Sequence, residues 1–237
     1  MHEKEMNTLL LKQMPNIMYH GCANKNFTIE NFKEKIKIFN SLDEYIEYEH
    51  MIDIPKTAPR LKSKGRTNLD AAFHGIYFTP NYENAYKWAT KKLKGNGQII
   101  IIKINKEKLF HLNGISYCYP NIEWANFIIN NRKQTNVRNL YDFSYSLIAD
   151  GHMIQLLPKI EKANQDNIHE IYFELVPHFL KEYIIHDKLS LNYDEFINNY
   201  LSKNLLNFQL CFSNMRCLNC FEVVDIINLD KEVYDEK

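Results

Sequence analysis

The residues best suited to ligand chemistry lie in one stretch of the chain, Gly65 to Ala89. Its first half places the cation Arg66 beside short polar side chains such as Asn68, a composition that suits a loop around an anionic or polar ligand. Its second half carries Tyr77 and, eleven residues later, Trp88. Two aromatic faces at a strand-to-helix junction can hold a flat cationic ring, at about 0.5 to 2 kcal/mol per face. The same pair is also typical of rings packed in a core.

A second candidate site precedes this stretch. His20-Gly21 follows a short apolar run that begins at Ile17 and predicts a strand. An imidazole at the end of a strand can bond a ligand hydroxyl, and a glycine lets the main chain approach a ligand closely. A histidine before a glycine is by itself most often structural.

Together these blocks resemble the ADP-ribosyltransferases of the diphtheria-toxin and poly-ADP-ribose-polymerase type. In that superfamily a His-Gly lies on the first strand, a Gly-x-Tyr-Phe strand carries one ring, and a second ring follows eleven residues on. The order Tyr-His-Gly, Gly-Arg-x-Asn-Leu-Asp, Gly-x-Tyr-x-Thr and Gln-x-x-Phe further resembles a bacterial ADP-ribosyltransferase-like family catalogued as a domain of unknown function. Other blocks that agree are Glu123 to Phe127 with Asn130 to Arg132, Tyr141-Asp142 with Ala149-Asp150, and Gln209 to Phe212.

The resemblance implies that NAD is the co-substrate and assigns roles to particular residues. The implied catalytic residues are His20, Tyr77 and Gln209, and the implied NAD-binding residues are Gly21, Arg66, Asn68, Gly75 and Trp88. In this scheme the imidazole bonds a ribose hydroxyl and the main chain of the glycine binds the carboxamide. The guanidinium offers a bidentate fork to the pyrophosphate.

The third catalytic position departs from the usual pattern, because active transferases of this type commonly carry Glu where this chain has Gln209. An amide can bond a ribose hydroxyl, but it cannot act as a general base and brings no negative charge to an oxocarbenium-like centre. Asp150, Glu170 and Glu174 are alternative acids, among which the sequence does not choose. A milder departure is His74, where the family often has Lys.

Three functions follow from the resemblance. The first is a mono-ADP-ribosyltransferase that modifies a macromolecule, a protein in preference to a nucleic acid, as a toxin or effector would. The second is an NAD glycohydrolase, in which water replaces the acceptor. The third is a catalytically silent binding module with an NAD cleft, which Gln209 motivates.

The expected fold is α+β. The resemblance implies an ADP-ribosyltransferase-like fold, with two small packed β-sheets, surrounding helices and an NAD cleft between the sheets. We expect one such domain over residues 1–237, with insertions at 33–62 and at about 158–188. The insertion at 33–62 suits either partner selection or a tolerated surface loop. The lack of regular βα alternation and of Gly-x-Gly-x-x-Gly argues against a Rossmann fold.

The charge composition argues against partners that are bound through a strong overall charge. Lys plus Arg and Asp plus Glu each total 29, so no global field attracts nucleic acid or an anionic membrane. A local basic run, Lys56 to Lys64, suits either a ligand patch or a solvated loop. The sequence contains no stretch of the length a membrane span requires, and its start lacks the layout of a signal peptide. We therefore expect a monomer that is cytoplasmic, or exported without a standard signal peptide.

The five cysteines form no disulfide-scaffold pattern, since their number is odd and their density is low. Cys217-x-x-Cys220 has no second ligand pair at zinc spacing. We predict reduced thiols and no metal site.

Hydrophobic patterning predicts most of the regular elements. The predicted strands are Ile17 to His20, Gly75 to Thr79, Gln98 to Ile104, Tyr141 to Ile148, Phe208 to Phe212 and Phe221 to Ile227. The predicted helices are Met6 to Leu11, Leu42 to Met51, Glu83 to Leu93, Asn121 to Asn130 and Tyr193 to Leu206, with a helix or turn over Met215 to Cys220. The pattern leaves Ile168 to Phe179 open between helix and strand.

Overall fold

The computed structural model describes most of the chain. The described residues are 3–22, 26–34, 76–91, 97–132, 141–148, 159–160, 162–164, 166–178, 180–181, 193–212 and 215–229. The predicted helix from Leu42 to Met51 and the Gly65 to Gly75 loop lie outside them. The extent of a single domain over residues 1–237 and the two expected insertions stay predictions.

The described residues form two β-sheets. The strands are β1 Ile17–Cys22, β2 Ile76–Phe78, β3 Gln98–Ile104, β4 Gly114–Tyr117, β5 Phe143–Leu147, β6 Phe208–Phe212 and β7 Phe221–Asn228. Sheet A has the order β1-β3-β7 and is antiparallel throughout. Sheet B has the order β2-β6-β5-β4, in which only the β4–β5 pair is parallel. The expected α+β class with two sheets and helices is therefore confirmed.

Among the described residues, one helix precedes the first strand, and the other helices lie between strands in sequence. They are α1 Glu3–Gln13, α2 Tyr82–Lys91, α3 Lys106–Phe110, α4 Ile122–Arg132, α5 Ile168–Leu175, α6 Tyr193–Glu195 and α7 Ser202–Asn204. A π-helix, Phe196–Leu201, separates α6 from α7, and 3-10 helices cover Leu205–Asn207 and Met215–Cys220. The predicted helix over 193 to 206 is thus helical but irregular. The ambiguous segment from Ile168 is a helix that ends at Leu175, just before Pro177.

The main core forms from one face of each sheet. Sheet A contributes Met18, Ile100 and Ile102, and sheet B contributes Phe78 and Leu210, among other residues of one buried cluster. Alternation along each strand directs these side chains to the same side. Burial of that apolar area, at roughly 25 cal/mol per Å², stabilises the arrangement of the two sheets.

Helix α2 covers the other face of sheet A through a smaller cluster of Ala85, Ala89 and Ile99. Ile99 and Ile100 are both fully buried, so β3 is buried on both faces, as its isoleucine run predicts. Two glycines permit the close approach of the helix. A Cβ on Gly21 would lie 1.8 Å from the carbonyl oxygen of Ala85, and one on Gly97 would lie 2.2 Å from that of Ala89.

The two sheets touch at an isolated bridge between β1 and the residue after β2. The Tyr19 N–H donates to the Thr79 carbonyl at 2.8 Å, and the Thr79 N–H donates to the Tyr19 carbonyl at 2.9 Å. Tyr82 of α2 packs edge-on against the Tyr19 ring, with the centroids 5.5 Å apart. This junction therefore joins both sheets and α2 at one place.

Gly21→Ala should destabilise the protein strongly, because the new Cβ would meet the main chain of α2, which cannot move aside as a flexible side chain would. We expect the free energy of unfolding to fall by about 3 kcal/mol or more, measured by urea denaturation. Lys87→Ala, on the exposed side of the same helix, is the matched control and should change it little. Equal stability of Gly21→Ala and the wild type would contradict this packing.

Candidate functional site

The candidate site begins where β1 and β2 separate. If the pairing continued beyond the Tyr19–Thr79 bridge, Gly21 would lie opposite Tyr77, but the bridge is isolated and the pairing stops there. Instead, the Nδ1 atom of His20 lies 2.7 Å from the Tyr77 carbonyl oxygen. A carbonyl can only accept, so Nδ1 carries the hydrogen and donates it. In the neutral ring Nε2 is then a hydrogen-bond acceptor.

The main chain of Gly21 faces the gap that this separation opens. In an antiparallel strand the N–H and C=O of one residue point to the same side, and every second residue points to the same neighbour. Tyr19 bonds Thr79, so the N–H and C=O of Gly21 also point toward β2. The Tyr77 carbonyl, which would have faced them, is bound by His20. The gap is thus bordered by a main-chain donor and a main-chain acceptor from one residue.

Sheet register places the remaining candidates. Tyr77 lies opposite Cys211 on β6, and Gln209 lies opposite Ser146 on β5. Alternation therefore puts Tyr77 and Gln209 on one face of sheet B, opposite the face that carries Phe78.

This face of sheet B continues into the face of sheet A that α2 covers. Tyr19 and Thr79 are bridge partners, and cross-strand partners share a face. Gly21 shares the face of Tyr19, and Tyr77 shares that of Thr79, because each pair is two residues apart. Tyr77, Gln209 and α2 therefore lie on one side of the gap. The His20 ring, next to Phe78 at 5.7 Å between centroids, lies on the other.

Trp88 is carried on α2 and is partly exposed. Ala85 and Ala89 define the face of α2 that packs on β1. At about 100° per residue, Trp88 lies at the margin of that face, on the side away from Tyr82. Its position permits a ring at the border of the gap. A clamp between Trp88 and Tyr77 stays a prediction.

The His20 ring sits in apolar surroundings. Its neighbours are Phe32, with centroids 6.1 Å apart, and Phe78 on the core side. Burial lowers the pKa of His20 below its ordinary value of 6.5, and the hydrogen bond to the Tyr77 carbonyl opposes that shift only in part. The ring is therefore neutral at pH 7, with Nε2 as an acceptor.

Gln209 is buried, with 4% of its surface exposed. The alternative acids Glu170 and Glu174 lie on α5, where both carboxylates bind Lys159 Nζ. The side chain of Glu170 is 67% exposed, and the buried face of α5 is formed by other residues. Neither acid has a described contact with the gap. Asp150 lies outside the described residues, as do His74 and the candidates Arg66, Asn68 and Gly75.

The Tyr141-Asp142 block has a structural use. Asp142 is buried and binds Arg216 at 2.7 Å, and its second oxygen accepts from the Asn113 N–H at 3.0 Å. The Cys217 thiol donates to the Asp142 carbonyl at 3.1 Å. These bonds fix the 3-10 helix of the Cys217-x-x-Cys220 motif against the start of β5.

The described residues contain neither a metal-ligand cluster nor a membrane-spanning helix. Within those ranges, no group of three or more His, Cys, Asp or Glu side chains could hold a metal ion. No helix among them is both long and apolar enough to cross a membrane.

Two residues near His20 were not anticipated from the sequence. Phe32 is fully buried beside the imidazole, and Gln98 is a buried amide at the head of an isoleucine run. The signal that could have indicated Gln98 is a polar residue at the start of a buried isoleucine run, since a buried amide must find partners.

Comparison with known proteins identifies the family. Residues 57–223 match the family described as protein of unknown function (DUF3990), and the chain belongs to that family. The expected match to a domain of unknown function is thus confirmed. Searches of curated proteins and of solved structures find no match.

Protonation of His20 should oppose folding. The unfolded chain takes up this proton near pH 6.5, whereas the folded chain, with its lowered pKa, takes it up only at lower pH. The unfolded state thus binds more protons in this window, so the stability due to neutral His20 is lost as pH falls below about 6.5. We expect the free energy of unfolding of wild type minus that of His20→Gln to decrease from pH 7.5 to pH 5 in urea titrations. A difference that is flat or rises toward pH 5 would contradict a neutral ring in apolar surroundings.

Proposed function

We propose that this protein binds NAD at the gap between β1 and β2, cleaves its nicotinamide–ribose bond and transfers ADP-ribose to a macromolecular acceptor. The observation that carries the proposal is the arrangement of His20 and Gly21. One strand presents a main-chain N–H and C=O to the gap, and the adjacent imidazole is held in a single tautomer by the Tyr77 carbonyl.

The carboxamide of nicotinamide has the groups that this main chain requires. It offers an N–H donor to the Gly21 carbonyl and an oxygen acceptor to the Gly21 N–H. Tyr77 and α2, with Trp88 at its margin, lie on one side of that main chain, where a flat ring would be held by stacking. The positive charge of nicotinamide in NAD strengthens contact with an aromatic face.

The ribose would be held by hydrogen bonds from both sides of the gap. His20 Nε2 accepts a hydrogen bond, so a ribose hydroxyl would donate to it. The Gln209 amide can both donate and accept, which suits a second hydroxyl contact. Fixing the ribose while nicotinamide leaves lowers the barrier chiefly through orientation and hydrogen bonds that strengthen as charge develops.

In this proposal the α+β fold with two sheets is an ADP-ribosyltransferase-like fold, and the gap is its NAD cleft. Arg66, Asn68 and Gly75 belong to the proposed donor loop, by resemblance alone. The proposed acceptor is a protein, as for a toxin or effector.

A second candidate is an NAD glycohydrolase, and the position of the acids favours it. Among the described residues, Glu170 and Glu174 of α5 are bound to Lys159, and the amide of Gln209 cannot take a proton from an acceptor. Water or an acceptor that brings its own nucleophile would then complete the reaction.

Incubation with NAD labelled in the adenylate half, in the presence of a cell lysate, tests the proposal. Label on a polymer supports the transferase, and free ADP-ribose without polymer label supports the glycohydrolase. The absence of turnover, with NAD still bound in calorimetry, would leave a binding module and overturn both enzymatic functions.

Calorimetry should detect NAD binding that depends on both sides of the gap. Trp88→Ala removes a stacking face and should weaken binding by about 2- to 30-fold, corresponding to roughly 0.5 to 2 kcal/mol. His20→Ala removes a hydroxyl contact and should also weaken it markedly. Tyr86→Ala, an exposed ring on the same helix, is the control and should bind as the wild type does. Unchanged affinity in both site variants would refute the site assignment.

Gln209→Ala should lower turnover while leaving NAD affinity nearly intact. A hydrogen bond made mainly in the transition state contributes about 2 to 4 kcal/mol, or roughly 30- to 1,000-fold in kcat. Gln209→Glu should preserve or raise kcat, because a carboxylate accepts the same bond and adds negative charge. If Gln209→Ala were silent and Glu170→Ala or Glu174→Ala abolished turnover, the catalytic acid would belong to α5.

A further inference from the structure

A short segment, residues 26–34, lies against the His20 side of the site; we refer to it as the strap. Gln98 at the start of β3 binds it through its side-chain amide. The Phe27 N–H donates to Gln98 Oε1 at 3.0 Å, and Gln98 Nε2 donates to the Phe27 carbonyl at 3.0 Å. The side-chain amide thus pairs with the main chain of the strap as a neighbouring strand would.

The rest of the strap is held from within and at its far end. Thr28 and Asn31 exchange two side-chain to main-chain hydrogen bonds, and the Phe32 N–H donates to the Thr28 carbonyl at 3.0 Å. Lys33 Nζ donates to the Phe221 carbonyl and lies 4.7 Å from the centroid of that ring. The strap is therefore attached to sheet A at two points, Gln98 and Phe221.

Between these points the strap places Phe32 against the imidazole. Phe32 is fully buried, packs edge-on against Phe27 at 5.2 Å between centroids, and lies 6.1 Å from His20. Phe78 lies near the ring as well, at 5.7 Å. If the hydrogen bonds between Phe27 and Gln98 were lost, Phe27 would no longer hold Phe32 in place. Phe32 forms one side of the apolar surroundings of His20, so those surroundings would loosen.

We propose that Gln98 is a positioning residue for His20: its amide fixes the strap, and Phe32 on the strap keeps the imidazole in place on the Tyr77 carbonyl. The described side-chain hydrogen bonds of Gln98 go to Phe27 and Asn228, and none goes to His20, Gly21 or Tyr77. Gln98 acts on the ring through Phe27 and Phe32.

The choice of an amide at this position supports the inference. Gln98 is 1% exposed and precedes a run of isoleucines. If packing were the sole requirement at this position, an apolar side chain would meet it. A buried amide is costly unless its polar atoms are bonded, and here they bind Phe27 twice and Asn228 Oδ1 at 2.8 Å. The bonds to Phe27 are what an apolar residue could not supply.

Charged groups on the neighbouring elements must be considered in any pH test. The strap carries Glu30, Lys33 and Glu34, and β3 carries Lys103, which pairs with Glu222 at 3.7 Å. Along the described part of β2 the titratable side chain is Tyr77. The shift of the His20 pKa has burial and the Tyr77 carbonyl as its causes, so the strap would act on it through burial.

Nitrogen-15 NMR of the histidine ring in the full chain tests the proposal without any ligand. The His20 signals are those missing from the spectrum of His20→Gln. In the wild type they should show a lowered pKa and a hydrogen on Nδ1. In Gln98→Leu we expect the pKa to rise toward 6.5 and the ring to sample both tautomers. If Gln98 only stabilised the fold, the free energy of unfolding would fall while both ring properties kept their wild-type values.

Asn228→Ala is the matched control, because it removes a partner of Gln98 but leaves both bonds to Phe27. Its His20 titration should match that of the wild type. A folded Gln98→Leu protein with the wild-type titration and tautomer would overturn the proposal. If Gln98→Leu does not fold, Phe32→Leu tests the proposal, because it alters the residue that packs on the imidazole. An unchanged His20 titration in Phe32→Leu would overturn the proposal equally.

The effect on catalysis rests on the proposed function and is measured separately. NAD turnover by Gln98→Leu should fall roughly tenfold, equivalent to about 1.4 kcal/mol, with Asn228→Ala as the unaffected control. If the wild type shows no NAD turnover, the proposed function fails while the NMR result still decides the role of Gln98. If the wild type turns over and Gln98→Leu matches it, the positioning role fails alone.

Discussion

The site depends on one hydrogen bond, from His20 Nδ1 to the Tyr77 carbonyl. It takes the place of the ladder bond that Gly21 would make if β1 and β2 stayed paired beyond Tyr19 and Thr79. The imidazole gives the Tyr77 carbonyl of β2 a hydrogen-bond donor at the point where the strands separate. The result is a gap with main-chain polar groups at its border and a ring locked in one tautomer beside it.

Close packing maintains that separation. Gly21 and Gly97 allow α2 to lie directly on sheet A, so β1 is confined between the helix and the core. On the core side the strap holds Phe32 against His20, with the buried Gln98 amide as its attachment. Glycine at position 21 therefore has a packing reason that is independent of any ligand. A role of Gly21 in ligand binding is compatible with this packing role. The packing requires that Gly21 has no side chain, whereas ligand binding would involve its main-chain N–H and C=O.

Local pattern predicted much of this arrangement. The isoleucine run at Gln98–Ile104 and the Phe208–Phe212 strand have the predicted bounds, because short apolar runs bounded by turn residues leave few alternatives. Strand β4 was missed, since Gly114–Tyr117 is short and shows no regular alternation. The π-helix before β6 also escaped prediction, because its sequence spacing fits an ordinary helix. For the site, the sequence indicated His20, Gly21 and Tyr77 as a group. The attachment of the strap to Gln98 was not foreseen, because that contact spans 71 residues and depends on tertiary packing.

The central claim is that the gap beside Gly21 receives the nicotinamide half of NAD. The most direct measurement is a titration of the nitrogen-15-labelled protein with NAD, followed at the Gly21 amide. A main-chain N–H that donates to the carboxamide should shift progressively and saturate together with the His20 ring signals, at the dissociation constant that calorimetry gives. A Gly21 amide that stays unchanged while NAD binds elsewhere on the protein would contradict this account.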